Sequence, residues 1–137
     1  MSNLLANVSI GMQGSVSIVV AEEHTAASIG SGAAPVLATP MLVMLLEAAA
    51  LAAAERHLPA GHQSLGTRID TSHVAATPLG MRVTAHAEVV ALEGRAMRFR
   101  VWAEDERERI GEGTHERVVV ETPRFERKLA AKSQPAA

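Results

Sequence analysis

Cysteine is missing from all 137 residues. That absence excludes a disulfide framework, a thiolate metal site and a cysteine nucleophile, while barely constraining the compartment. Aromatic residues are nearly as scarce: Phe99, Trp102 and Phe125 are the whole set. The core must therefore be built from Val, Leu, Ile, Met and Ala. There is no excess of positive charge, since 13 Lys and Arg stand against 15 Asp and Glu for a net charge of −2. A nucleic-acid binder would show a strongly basic footprint. The chain has no apolar run of the about 20 residues that a membrane helix needs. The first twenty residues also lack the cationic start and long apolar stretch of a secretory signal. These absences predict a single cytoplasmic domain over 1–137, with no nucleic acid and no membrane as partner. Residues 1–14 and 129–137 are expected at the periphery or frayed.

What is present is 47% hydrophobic, enough for a real core. Its most informative stretch is MLVMLLEAAALAAA, residues 41–54, apolar at every position but Glu47. A helix apolar on all sides is expected to be buried. A carboxylate on such a helix needs a partner or a use. Thr39 is a good N-cap and Pro40 suits the first helical position. The helix should run to about His57 and stop before Pro59, a rod of roughly 27 Å.

Strand patterns flank it. Residues 15–20 are β-branched, and 21–38 form a loop of small residues with Gly30, Gly32 and Pro35. After the break at 59–61, strands are expected at 64–74, 81–91, 96–104 and 110–120. Glu93-Gly94 marks a hairpin between the second and third of these, and the tail from Pro123 carries a short helical stretch. One strand, a long helix and four strands joined by short turns give a mainly antiparallel five-stranded sheet in the α+β class. A curved sheet wrapped around one central helix is the hotdog architecture.

Three side chains could carry chemistry. Glu47 could be a buried structural carboxylate, or a general base or nucleophile. Thr39 could be only a cap, or could place its hydroxyl beside the positive end of the helix dipole. Eight residues of helix separate the two by about 12 Å. They could meet only if the Thr39 segment folded back or if two chains shared a site. His73 should alternate onto one face with Leu65, Ile69 and Thr71, toward the helix and Glu47. A zinc site of His24, Glu47 and His73 lacks any ligand-spacing signature. The run 114–117 is a solvated face by default, although Arg117 could orient a substrate carbonyl or phosphate.

Several motifs together resemble the fluoroacetyl-CoA thioesterase family of hotdog enzymes. They are His24-Thr25-Ala26 with Gly30-Ser31-Gly32, then Val36 through Pro40, Glu47-Ala48-Ala49, Gly66-Thr67 through Ser72-His73, Ala76 through Gly80, and Gly113 through Arg117. The resemblance spans about residues 15–128. It implies hydrolysis of a short-chain acyl-CoA thioester, with Thr39, Glu47 and His73 as the catalytic set. It also implies a homodimer or higher oligomer, substrate near the dimer interface, no metal, and CoA only as part of the substrate. Gly66, Arg117 and Val36 are the expected substrate-binding residues, and Arg117, Arg124 and Lys128 are candidates for the CoA phosphates. At one place the chain departs from the family. Residues 21–39 contain no aromatic side chain, whereas the specialised fluoroacetyl-CoA enzymes are associated with a bulky apolar gate. A less guarded pocket and a different short acyl group follow. Two other readings rest on the same residues: a noncatalytic hotdog module binding acyl-CoA or a similar ligand, and a hydratase or dehydratase acting on acyl-CoA, for which no D-x-x-x-x-H run opens the long helix.

Overall fold

A computed structural model describes residues 3–135. The elements follow the expected order. They are β1 (Gln13–Val19), a one-turn helix α1 (Ala26–Ile29), the long helix α2 (Thr39–Ala54), then β2 (His62–Thr71), β3 (Arg82–Glu93), β4 (Ala96–Glu104), β5 (Arg109–Glu121) and a C-terminal helix α3 (Thr122–Lys132). Short 3-10 turns precede α1 and extend α2 through Glu55–His57. The five strands form one antiparallel sheet in the order β1-β3-β4-β5-β2. It wraps α2, which is the hotdog arrangement.

Alternation builds this sheet. Val83, Ala85, Ala87 and Val89 of β3 and Met97, Phe99, Val101 and Ala103 of β4 are fully buried against the helix. The intervening residues face outward, as a period of two requires. The β3–β4 hairpin closes on Gly94, whose φ of 60° suits glycine. Small residues set how close the layers come. A methyl group built on Gly14 of β1 would lie 2.6 Å from the Ala49 carbonyl oxygen. Strand β1 therefore rests on the α2 backbone itself, with Ala49 and Ala53 beneath it.

The helix differs from expectation in two ways. First, α2 is not buried on all sides. Leu42, Leu45, Leu46, Ala49, Ala50, Ala53 and Ala54 face the sheet, but Met44 and Leu51 are 48% and 37% exposed. Pro40 is exposed too, and Glu47 is only partly covered. A five-stranded sheet reaches around one side of a helix and leaves the stripe 40–44–47–51 open. Second, Thr39 is not the cap. Ala38 is the N-cap residue, Thr39 is the first helical residue and Pro40 the second. The Thr39 hydroxyl is thus free for another partner.

Strand β2 also departs from the simple alternation. A bulge between Gly66 and Arg68 shifts its register on β5. Leu65 pairs with Val118 on the outer face, whereas Ile69 pairs with buried His115 and faces α2. The strand ends at Thr71, so His73 lies just past it. At the N-terminus, Leu5 and Val8 belong to the core, although 1–14 was expected at the periphery.

Candidate active site

Two clusters of polar side chains face the α2 side of the molecule, in separate cavities. The first lies at the start of α2. Leu37 N–H donates to Thr77 O at 2.9 Å and Ala38 N–H to His24 O at 2.9 Å, which fixes the chain entering the helix. On the far side of the cavity, Ser72 N–H bonds Glu112 O and Val74 N–H bonds Ile110 O, so β5 holds His73 from both flanks. The result is a bond of 2.8 Å between Thr39 Oγ1 and His73 Nδ1. His73 Nε2 is buried and has no partner among the described residues. Burial pushes the His73 imidazole below its ordinary pKa, because the charged form loses its water. The cavity, about 230 Å³, is walled by Val36 and Leu37 and by Ala26, Ala75 and Ala76.

The second cluster surrounds Glu47, two turns further along α2. Its carboxylate Oε2 accepts from Arg117 Nη1 at 3.5 Å. Arg117 is only 6% exposed, and nearly all of its fork is committed. Nε donates to Ser64 Oγ at 2.8 Å, Nη2 to Ser64 O at 3.0 Å, and Nη1 also meets His115 Nε2 at 3.1 Å. Ser64 in turn bonds both oxygens of Glu55, through its hydroxyl and its N–H. Desolvation pulls the Arg117 guanidinium down from its ordinary pKa, and the Glu55 and Glu47 carboxylates oppose that pull. Arginine stays charged regardless, so its N–H groups must donate. His115 Nε2 is therefore an acceptor, and Nδ1–H donates to Arg68 O at 2.7 Å. The ring is thus fixed as one neutral tautomer, and burial lowers its pKa.

Gly66 lets these groups meet. A methyl built there would lie 2.7 Å from Glu47 Oε2 and 3.4 Å from Arg117 Nη1. Without a side chain at 66, the carboxylate faces a cavity of about 260 Å³ lined by Gly66, Thr67, Arg68, Ile69 and His115.

The six site residues expected from sequence therefore sort into two groups within one chain. Thr39, His73 and Val36 line one cavity, while Glu47 and Gly66 line the other and Arg117, buried beside it, reaches Glu47. The expected contact between His73 and Glu47 is not made inside the chain. Glu47 has a side chain 42% exposed, so it is less buried than its apolar helix suggested. His24, once a possible third metal ligand, accepts from Ala21 N–H through Nδ1 instead.

Residues 20–123 match the family of fluoroacetyl-CoA-specific thioesterases. The chain belongs to that family. A fluoroacetyl-CoA thioesterase from Streptantibioticus cattleyicolor is 44% identical over 98 residues, covering 72% of this chain and 70% of that protein. Among solved structures, a serine-for-threonine variant of a fluoroacetyl-CoA thioesterase in complex with acetyl-CoA is 34% identical, with a TM-score of 0.86 over 93% of this chain and 100% of that one. A hot-dog-like protein from Thermanaerovibrio acidaminovorans shares the fold with a TM-score of 0.89, over 98% of this chain and 100% of that one, at 21% identity.

The cluster around Glu47 includes residues that sequence reasoning passed over. His115, Ser64 and Glu55 make the bed on which Arg117 lies. The signal for His115 was present: it keeps step with Arg117 and Val119 on β5, so all three point inward. Reading 114–117 as a solvated face hid it.

Proposed function

We propose that this thioesterase hydrolyses a short-chain acyl-CoA to a carboxylic acid and free CoA, as a cytoplasmic homodimer whose two chains complete each site. The carrying observation is the Glu47 carboxylate, held by a buried arginine and open to a cavity that only glycine at 66 permits. The split between the two clusters supports the dimer. Glu47 stands in the middle of the open stripe formed by Pro40, Met44 and Leu51. Exposed apolar surface of this kind favours a covering partner. A second α2 lying along the stripe would bring Thr39 and His73 of one chain toward Glu47 of the other. No helix among the described residues is long and apolar enough to cross a membrane.

The chemistry follows from the groups. By one route Glu47 takes a proton from water, whose oxygen adds to the thioester carbonyl. The tetrahedral intermediate expels the CoA thiolate, and the proton passes to sulfur, through His73 where it reaches the leaving group. By the other, Glu47 attacks directly, forms an anhydride and releases the thiolate, and water then cleaves the anhydride. Thr39 orients His73 or the substrate through its hydroxyl. Small walls at Ala26, Val36, Ala75 and Ala76 suit a short acyl group.

Thiol release from a panel of acyl-CoAs tests the reading, run beside Glu47→Gln. Cleavage of a short acyl-CoA that is lost in the variant supports it. A folded protein that releases thiol from no member removes it. A single turnover in oxygen-18 water bears on the routes: label in the Glu47 carboxylate requires an anhydride opened at its Glu47 carbonyl, whereas label in the product acid alone comes from water attacking the acyl carbon by either route.

A further inference from the structure

A further cavity, about 470 Å³, belongs to neither cluster. It opens at the end of the sheet where β5 runs into α3. Four elements converge on it. Arg95 comes from the tip of the β3–β4 hairpin, which is tied to β5 by Val119 N–H to Arg95 O at 2.9 Å. His62 comes from the first position of β2. Arg124 and Lys128 come from α3, four residues apart and so on one helix face. Leu4, Val119 and Phe125 supply an apolar floor.

The charge here is unbalanced. Arg95, Arg124 and Lys128 make no ion pair among the described residues, as is true of Arg56, Arg82, Arg107, Arg127 and Lys132, but these three are the ones that line a shared cavity. Glu121 is the single carboxylate on the lining. His62 Nδ1 bonds Ala60 O at 3.0 Å, which leaves Nε2 for another partner. Three cations from two separate elements, the β3–β4 hairpin and α3, around one concave, partly apolar surface suit a multiply charged anion with a flat apolar portion. A phosphorylated nucleotide has that composition: phosphates for the cations, and a ring to lie against Phe125. The cavity is also at a useful distance. From His62 to Gly66 is four residues of strand, about 13 Å, less than the extended pantetheine arm of a CoA thioester.

We propose that this cavity binds the phosphorylated nucleotide end of the acyl-CoA, with Arg95, Arg124 and Lys128 on its phosphates and Leu4 and Phe125 beside its adenine. The link to the thioester end rests on the proposed hydrolase reading. The assignment takes Arg117 out of the phosphate set, since its donors are spent on Ser64, His115 and Glu47. It adds Arg95, which no motif had marked.

The test pairs kinetics with binding. In the double variant Arg124→Ala/Lys128→Ala, KM for an acyl-CoA should rise roughly tenfold with little change in kcat. KM for the same acyl group on pantetheine, which lacks the nucleotide, should stay where it was. An equal rise for both substrates, or no rise for either, overturns the proposal. Calorimetry with 3′-phosphoadenosine 5′-phosphate needs no turnover. Binding to the wild-type protein that is lost in the double variant supports the site even if no acyl-CoA is hydrolysed, in which case only the hydrolase reading fails. No binding to the wild-type protein sinks the nucleotide site. Inorganic phosphate that competes as well as the nucleotide reassigns the cavity to free phosphate and overturns the nucleotide claim.

Discussion

The two polar clusters along α2 spend hydrogen bonds very differently. Around Glu47, five side chains interlock: Glu55 and Ser64 hold Arg117, His115 flanks it, and Arg117 reaches the carboxylate. Around His73 there is one side-chain bond, to Thr39, and a buried nitrogen with no partner among the described residues. A dense network keeps its geometry within one chain. A sparse pair must borrow a partner from substrate, water or a second chain. The contrast separates a preorganised cluster from one that lacks partners among the described residues, and it can be broken from either side.

The largest effect should come from the dense half. Glu47→Gln keeps the size of the side chain but removes the base or nucleophile, and kcat should fall by about 10²- to 10⁴-fold. Thiol-release kinetics on a folded variant checks this, and unchanged turnover removes Glu47 from the mechanism. Next is the sparse half. His73→Ala and Thr39→Val should each lower kcat by about 10²-fold with little loss of thermal stability, because so few bonds depend on them. If both variants also unfold several degrees earlier, the pair is structural. Gly66→Ala follows. Its methyl would press on Glu47 Oε2, and kcat should drop about tenfold as the carboxylate shifts; a wild-type rate would mean that the carboxylate can yield freely.

Ser64→Ala probes stability. It strips an acceptor from Arg117 and a donor from Glu55, and should cost about 1–3 kcal/mol in urea unfolding. His73→Ala serves as the contrast, with a smaller cost expected. The smallest effect is the dependence on pH. His73 and His115 both have folded pKa values lowered by burial. The unfolded chain then binds protons first, near pH 6.5. Their contribution is full above that pH and is lost as pH falls through it, levelling off below the folded values. Urea unfolding at pH 8 and pH 5 should show the loss, and His115→Gln should reduce it.

Much of the fold was legible because periodicity reports it directly. Val83 through Val89 and Met97 through Val101 alternate so cleanly that their buried face could be read off. Glu47 stood out for a related reason, as one charge in an apolar helix. What could not be read was local geometry that periodicity does not encode. A single-residue bulge after Gly66 put Leu65 on the outer face and Ile69 on the inner. Thr39 looked like a cap because threonine is a common cap residue, and sequence does not show that its hydroxyl bonds His73 instead. Glu47 looked buried because an apolar helix cannot announce whether its own sheet or a second chain covers it. The network around Arg117 was hidden for another reason: Glu55, Ser64 and His115 lie on three different elements, and only the fold brings them together.

The pairing of Gln13 with Glu88 has a consequence for how the chain is made. During synthesis β1 and α2 leave the ribosome long before β3 exists to receive them. From the end of α2 to the end of β3 is about 40 residues, or roughly 2 to 8 seconds of translation. Over that interval the most apolar segment of the protein has no sheet to cover it. Its second half is almost entirely alanine, which holds a helix well and offers little surface to stick to other chains. The alanines that let β1 lie against the finished helix also keep the newborn helix from aggregating.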